Sequence, residues 1–445
     1  MPQIHEINKI KHTKWLDAKT ETGKLDGKLH TYIIYVTEDK KWYKVPAPFS
    51  PYFFITREDY VNRKRYILRK VAKYHGSIES DYYAVSIFGE PLLKITVPVP
   101  SFVRSKRKIK VKVEGTELKL EGYGLRLELE EKGISTYESD IPFYYRVMFD
   151  KGIFQCPIRY KLYSDIEVEA LDEFPDPKKA KHRLLSIASV DEEGKEFFFS
   201  HKHETKIFRS FQQLIQEEKY HVVAGWNWEE FDRKYLVNRA KRKRLDFELF
   251  GIQEFDMMKN FSVFVQATHK LSLASVAEEY LSEDMQKLKV TPKELWESFL
   301  GDKKCLREYN MRDAMIVRAI DKEFDIVDRC SILAELAPIF FRDIHKKSAL
   351  WQHIVLYNLK RQEELFGIRI VLPRREKIPG AELKGGYVKT PPSGIFKGVA
   401  CADFTSLYPT IMMTFELDPI AVSLYLAWKA SGLSLERWIT HVFKK

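Results

Sequence analysis

Two carboxylates stand two residues apart in Ser164-Asp165-Ile166-Glu167, within the stretch 160–168 that reads as a strand. On a strand their side chains leave the same face. Ionised together they repel, and such a pair calls for a cation, a shared proton or solvent. Two divalent ions about 3.5–4 Å apart are the usual answer in phosphodiester hydrolysis. Alone, Asp-x-Glu is better read as a sheet edge facing water. A second polar set lies in Gly225-Trp226-Asn227-Trp228-Glu229-Glu230-Phe231-Asp232, where Asn227 follows a strand and Asp232 stands by a helix start. Alone these are ordinary helix caps. A third is Tyr309-Asn310-Met311-Arg312-Asp313, whose Tyr309 and Asp313 share one helix face. There a phenol can hold a water while the carboxylate binds metal. Alone it is a helix-surface pair.

The elements that must position these groups follow from periodicity. Leu184–Val190, Glu196–Phe199 and His221–Ala224 read as strands. Ile207, Phe208, Phe211, Leu214 and Ile215 recur at helical spacing, a helix starts near Glu229, Leu271–Leu281 is amphipathic, and Cys305–Val327 reads as one long helix. Strands followed by alternating helices and strands imply an α/β core. Upstream, Leu29–Val36 and Tyr82–Phe88 are strand-like, Val61–Tyr74 is basic and helical, and Arg104–Lys112 reads as an edge strand with one solvated face. Residues 331–370 are helical, and Gly398–Ala402 is strand-like and leads into Asp403.

Taken together, Asp-x-Glu on a strand, Asn-x4-Asp, then Tyr-x3-Asp on a helix resemble the ribonuclease-H-like 3′→5′ exonucleases of family B DNA polymerases. The resemblance implies metal binding by Asp165, Glu167 and Asp313, with Asp232 holding the metals through water. Tyr309 would orient the attacking water and Asn227 contact the strand end. Two Mg²⁺ or Mn²⁺ ions are the implied cofactors, which suits an all-carboxylate set. Asp403-Phe404-Thr405-Ser406-Leu407-Tyr408-Pro409-Thr410-Ile411 resembles the first palm motif of the same family. That implies Asp403 as a metal ligand, Phe404, Ser406 and Leu407 cradling a nucleotide, and Tyr408 beneath its sugar, with one or two ions at a completed polymerase site. Gly385, Gly386 and Tyr387 resemble a template-clamping segment, although Leu383 stands where that segment has Tyr. Pro51, Ile141, Pro142, Phe143 and Arg146 match segments that, in archaeal members, capture template uracil; simple packing of the N-terminal domain is the other reading.

The expected organisation is α/β and α+β and multidomain. A β-rich N-terminal domain spans 1–157 and a ribonuclease-H-like exonuclease 158–328. A helical segment spans 329–380, and the beginning of a palm 381–445. The family's fingers helix, second palm carboxylate and thumb have no counterpart here, and nucleotidyl transfer needs both palm carboxylates. The expected protein is therefore an N-terminal subunit or fragment of a replicative, archaeal-type polymerase, completed by a C-terminal chain. The helically spaced tail Gly432–Lys445 docks either on that chain or on this one's own palm segment. Its partners would be primer–template DNA, single-stranded 3′ ends, dNTPs and a sliding clamp, although no conventional clamp-binding peptide is evident. The alternatives are a non-catalytic, uracil-sensing DNA-binding relative and a free-standing exonuclease.

Composition is consistent with this. The chain has 445 residues and a net charge of +11, a surplus that favours polyanionic partners. Cys156, Cys305, Cys330 and Cys401 are scattered, which argues against a zinc ribbon or disulfide framework. His201 and His203 read as a solvated loop. No run of about 18 apolar residues occurs, so no membrane partner is expected; the expected location is the cytoplasm, at the nucleoid.

Overall fold

The computed structural model describes residues 3–104, 109–113, 116–120, 123–171, 173–217, 219–265, 271–374, 389–390, 392–400, 402–415, 417 and a few later positions. Two compact units emerge: Met1–Phe49 with Phe143–Tyr357, and Ser50–Pro142 with Asn358–Lys445.

In the first unit the strand Lys161–Val168 is the centre of a five-stranded sheet. Leu184–Asp191 and then Glu196–Phe199 pair antiparallel on one side; Val222–Gly225 and Gln253–Asp256 pair parallel on the other. The order 3-2-1-4-5 is the ribonuclease-H-like arrangement expected. Alternation along the central strand decides the layers. Leu162, Ile166 and Val168 face a core built with Phe208, Phe211, Ile215, Trp228, Tyr235 and Leu236. Lys161, Tyr163, Asp165 and Glu167 take the opposite face, which the long helix Lys304–Phe324 covers.

That helix is shorter than the amphipathic pattern predicts. Asp325 adopts left-handed backbone, φ 51°, and a new helix, Ile326–Glu335, starts after it. The apolar spacing runs through the joint, so periodicity alone does not reveal it. The helix expected near Glu229 starts at Asp232, after a turn. The other strands and helices expected between 160 and 281 form with ends shifted by a few residues.

The N-terminal strands of this unit are tied to the five-stranded sheet by polar contacts far apart in sequence. Lys40 Nζ donates to the carbonyls of Ile215 at 2.9 Å, Tyr220 at 3.0 Å and Gly251 at 2.6 Å. Asp17 accepts from the Gly251 amide at 3.1 Å and pairs with Arg342.

His353 sits between the rings of Tyr145 and Phe149, with Nδ1 against the Pro338 carbonyl at 3.0 Å. Burial pulls its pKa down to about 4, partly opposed by that carbonyl. A base with a depressed folded pKa contributes stability that is complete above its unfolded pKa of about 6.5 and is lost as pH falls towards the folded value. The full span amounts to about 3 kcal/mol. Denaturation at pH 7.5 and 4.5 should therefore show a smaller acid loss in His353→Leu than in the parent. Equal losses would refute this account.

In the second unit, Tyr52–Thr56, Arg57–Lys73, Ser77–Ser86, Pro91–Thr96, Leu125–Glu130 and Thr136–Tyr137 follow a β-α-β-β-α-β order. The sheet reads Thr136–Tyr137, Tyr52–Thr56, Pro91–Thr96, Ser77–Ser86, which is the split βαβ arrangement, and Arg369–Val371 adds at its edge. The helix expected here forms, and the strand expected at Tyr82–Phe88 runs Ser77–Ser86. Of the edge strand expected at Arg104–Lys112, Arg104 instead closes the short helix Pro100–Arg104, residues 105–108 lie outside the described residues, and Ile109–Val113 is a strand paired with Thr116–Leu120. Arg369 is fully buried and is held by Glu138 at 3.2 Å. Residues 398–400 and 402 form no strand, contrary to expectation. Val399 is 75% exposed there, and among the described residues no edge pairs with the segment. Gly432–Lys445 lies largely outside the described residues.

Candidate active site

The central strand and the long helix each carry a polar stripe, and the two stripes meet. At one end charge is matched: Tyr163 Oη donates to Asp321 at 2.6 Å, and Lys161 approaches Asp321 at 3.4 Å and Asp328 at 2.7 Å. At the other end carboxylates accumulate. Oxygens of Asp165, Glu167 and Asp313 lie within 4.8 Å of one another. The helix turn that brings Asp313 down also brings Asn310, whose Nδ2 donates to Asp165 Oδ2 at 2.8 Å. The amide's orientation is fixed from behind, because Ser186 Oγ donates to Asn310 Oδ1 at 2.8 Å.

Asp232 reaches the same place from a third element. It is the first residue of the helix Asp232–Lys243, is 4% exposed, and accepts from the Ile166 amide at 3.3 Å. The approach depends on a tight turn after Val222–Gly225. A Cβ on Gly225 would lie 2.7 Å from the Trp228 ring and 2.8 Å from the Ser164 carbonyl, so only glycine fits. Asn227 in that turn takes left-handed backbone, φ 58°, which asparagine tolerates better than most residues. A cleft of about 440 Å³ opens over these groups, lined by Asp165, Glu167, Asn227, Asp232, Lys287 and Asp313 with Phe174, Trp226 and Phe231 at its apolar wall.

Electrostatics sets this cluster apart from the Asp321 end. Burial, followed by the charges of Asp232, Asp313 and Glu167, raises the Asp165 carboxyl well above its usual range. Burial and Asp313 push Glu167 up to about 8, and burial pushes Asp232 up to about 7. One cation answers four carboxylates: Lys287 pairs with Asp313 Oδ2 and stands 5.3 Å from the centre of the Tyr309 ring. Burial pulls Lys287 down, but Asp313 more than offsets it. Burial raises the Tyr309 phenol to about 12, so it stays protonated at neutral pH. Asp313 Oδ1 is buried with no hydrogen-bond partner. An orphaned carboxylate oxygen beside two more carboxylates fits a hard divalent cation.

Of the residues singled out in the sequence, Asp165, Glu167, Asn227, Asp232 and Asp313 line one cleft, and Tyr309 stands one helical turn from Asp313. Asp403, Phe404, Ser406, Leu407 and Tyr408 lie in the other unit, all exposed, at and before the helix Leu407–Thr414. Gly385, Gly386 and Tyr387 lie outside the described residues. Pro51, Ile141 and Pro142 belong to the second unit; Phe143 and Arg146 are buried on the helix Phe143–Lys151 of the first. Sequence reasoning missed Lys287 and Asn310. Asn310 was findable, three residues before Asp313 on the same helix; nothing in the loop around Lys287 pointed to it.

Asn310→Ala leaves Asp165 free to turn. Partners of this kind are worth about 10–100-fold in metal affinity or activity. The expected result is a loss of that size in divalent-cation affinity, measured by titration, with thermal stability largely kept. Unchanged affinity would show that the Asn310 bond does not orient the carboxylate.

Comparison with known proteins bears on this geometry. Residues 191–278 match the family described as DNA polymerase family B, exonuclease domain. That stretch includes Asn227 and Asp232. Among curated proteins, the chain is 25% identical over 323 residues to a DNA polymerase of Pyrococcus horikoshii, covering 64% of this chain and 26% of the relative. It is 27% identical over 335 residues to one from Thermococcus litoralis, covering 64% and 19%. With the DNA-directed DNA polymerase of Escherichia phage RB69 the identity is 24% over 340 residues, covering 58% and 35%. The chain thus spans well under half the length of these relatives. The fold matches the family B DNA polymerase of Pyrobaculum calidifontis with a TM-score of 0.65 and 20% identity, over 90% of this chain and 56% of that one. Residues 191–278 are thus similar to the exonuclease domain of family B DNA polymerases, and the fold of the chain resembles that of an archaeal family B DNA polymerase.

Proposed function

We propose that residues 158–328 form a metal-dependent 3′→5′ exonuclease that removes nucleotides from single-stranded or frayed DNA ends. The observation that carries this is the cluster of Asp165, Glu167 and Asp313 on the cleft floor, with one buried oxygen unpartnered. Asp165, Glu167 and Asp313 would hold the metal, and Asp232 would support it from the adjoining helix. A divalent pair, when bound, supplies Lewis acidity to the phosphodiester and to water. The chain's own groups do the rest. Tyr309, protonated at neutral pH, holds and orients a water. Lys287, released from Asp313 when cations take up that charge, can neutralise the departing phosphate. Asn310 keeps Asp165 in place. Phe174 is 81% exposed and its ring lies 5.6 Å from that of Phe231, a platform on which a terminal base can stack while Asn227 contacts the strand end.

We further infer that the exonuclease is the proofreading part of a replicative DNA polymerase, in the four-segment organisation set out above. Asp403 is the first palm carboxylate, binding Mg²⁺, with Phe404 to Leu407 at the triphosphate and Tyr408 beneath the sugar. Nucleotide transfer would also need a second palm carboxylate, fingers and thumb beyond these 445 residues, whether in the same polypeptide or another. Support comes from the palm segment itself: Phe404, Tyr408, Met413 and Phe415 are 75%, 77%, 72% and 68% exposed, an apolar concentration that marks a contact surface.

The test is a single-stranded oligonucleotide labelled at either end, with and without Mg²⁺ or Mn²⁺. Stepwise shortening of the 5′-labelled strand, abolished by chelation, is expected. Shortening from the 5′ end, or none at any metal concentration, would refute the reading. Primer extension on adding the missing polymerase portion tests the second inference separately.

A further inference from the structure

One surface of the exonuclease module has a charge pattern that the catalytic cluster does not use. It begins at the mouth of the cleft, where Phe174 and Pro175 form part of the wall. The loop that follows carries Lys178, Lys179 and Lys181, all exposed. Its backbone is fastened along the helix Asp232–Lys243. Asn238 Nδ2 donates to the Pro177 carbonyl at 2.9 Å, and Arg239 Nη1 to those of Lys181 at 2.6 Å and Ala180 at 3.2 Å. Tyr235 Oη donates to the His182 carbonyl at 2.7 Å. The far end of that helix continues Lys241, Arg242, Lys243, Arg244, again all exposed.

These cations are poorly matched. Lys179 meets Asp176 at 3.7 Å, and Lys243 shares Glu204 with the buried Arg239 at 3.4 Å. Lys178, Lys181, Lys241, Arg242 and Arg244 form no ion pair among the described residues. The ordinary explanation for basic residues in a last helical turn is the helix dipole. It covers Lys241 to Lys243 but not three lysines on a separate loop pinned to the middle of the same helix. Nor does it explain Arg244, which occupies the left-handed cap position at φ 55°, where a non-glycine residue costs roughly 1–2 kcal/mol.

The geometry points to a phosphate-binding ridge: we propose that Lys178, Lys179, Lys181, Lys241, Arg242 and Arg244 hold the backbone of the single strand whose 3′ end enters the cleft. This rests on the exonuclease reading. The helix that begins at Asp232 has 12 residues, a length of roughly 18 Å, or about five nucleotides at the 3.4 Å spacing of a stacked strand. Contacts to phosphates carry no sequence information, as an exonuclease acting on any end requires. A trinucleotide in the cleft cannot reach the far end of the ridge; a decamer can.

The experiment compares the parent with the triple variants K241A/R242A/R244A and K178A/K179A/K181A. Affinity for oligo-dT of three and ten nucleotides is measured by anisotropy with EDTA across a salt series, and hydrolysis of both with Mg²⁺. Each lost phosphate contact removes roughly 0.7 from the salt slope on a single strand. The decamer should therefore bind about tenfold more weakly or worse at low salt, with a slope smaller by about 2, in each variant. In K241A/R242A/R244A, at the end of the ridge that a trimer cannot reach, trimer affinity and trimer hydrolysis should stay within about twofold. Unchanged decamer affinity and slope in both variants overturns the proposal, and so does an equal loss for trimer and decamer in K241A/R242A/R244A. If the parent hydrolyses neither oligonucleotide, the exonuclease reading fails, and the ridge is still decided by the binding arm. Two variants on separate segments, each checked for an unchanged melting temperature, guard against a folding defect in one of them.

Discussion

Asp165→Asn should abolish hydrolysis at 3′ ends and, in the absence of divalent cation, make the protein more stable. The two effects have one origin. Asp165 faces Glu167, Asp232 and Asp313, with Lys287 as the only counter-charge in the cleft lining among the described residues. At 4.8 Å and an effective dielectric near 20, each pair of like charges repels by roughly 3.5 kcal/mol. Partial protonation and relaxation reduce that, so a gain of about 1–2 kcal/mol is expected. The asparagine oxygen can still accept from Asn310, so the strand and helix stay joined. The price in rate should be at least about 10³-fold, or some 4 kcal/mol of barrier. The sign of the pH dependence follows. Carboxyls whose folded pKa lies above the unfolded value bind extra protons when native, so stability is complete at low pH and falls as pH rises through the folded values. With Asp232 near 7 and Glu167 near 8, against unfolded values of about 4, the parent should lose stability progressively between about pH 4.5 and 8 in EDTA. Asp165→Asn should lose less, and Mg²⁺ should restore the parent more than the variant. Denaturation with and without cation, alongside an end-labelled cleavage assay, measures all of this. A variant within tenfold of the parental rate, or one stabilised by Mg²⁺ as much as the parent, would remove Asp165 from the metal site.

The largest expected loss of stability comes from Lys40→Met. Three carbonyls share the Lys40 ammonium, and Ile215 contributes one from the last turn of the helix Glu204–Glu217, where carbonyls lack partners within the helix. Methionine fills the space but donates nothing. A buried acceptor left unmade costs about 1–3 kcal/mol, and some of the three will find water, so a net loss of about 4 kcal/mol is expected. Urea denaturation decides; a loss under about 1 kcal/mol would mean that the carbonyls find other donors.

The carboxylate floor of the cleft was legible because it depends on short periods. Asp165 and Glu167 share a face through a strand's alternation, and Tyr309 shares one with Asp313 through a single helical turn. Asp232 needed only the helix start that follows Phe231. What could not be read depends on distance along the chain. Lys287 reaches Asp313 from a loop 26 residues away, and no local pattern marks it. The joint at Asp325 escaped because an aspartate rather than a glycine adopts the left-handed turn, while Ile320, Ile326 and Val327 continue the apolar spacing. The strand expected at Gly398–Ala402 failed for another reason: β-favouring residues form a strand only against an edge, and no described edge pairs there. The attachment of residues 1–49 to the exonuclease sheet rests on Asp17 and Lys40, polar residues whose partners lie more than 170 positions away.

That attachment also sets a clock. The carboxylate of Asp17 is buried against Arg342, a partner 325 residues downstream. Ribosomes add roughly 5–20 residues per second, so about 15–65 seconds pass between the synthesis of one and the arrival of the other. Throughout that interval the strands within residues 1–49 belong to a body whose remaining pieces have not been made, and later helices of that body complete them.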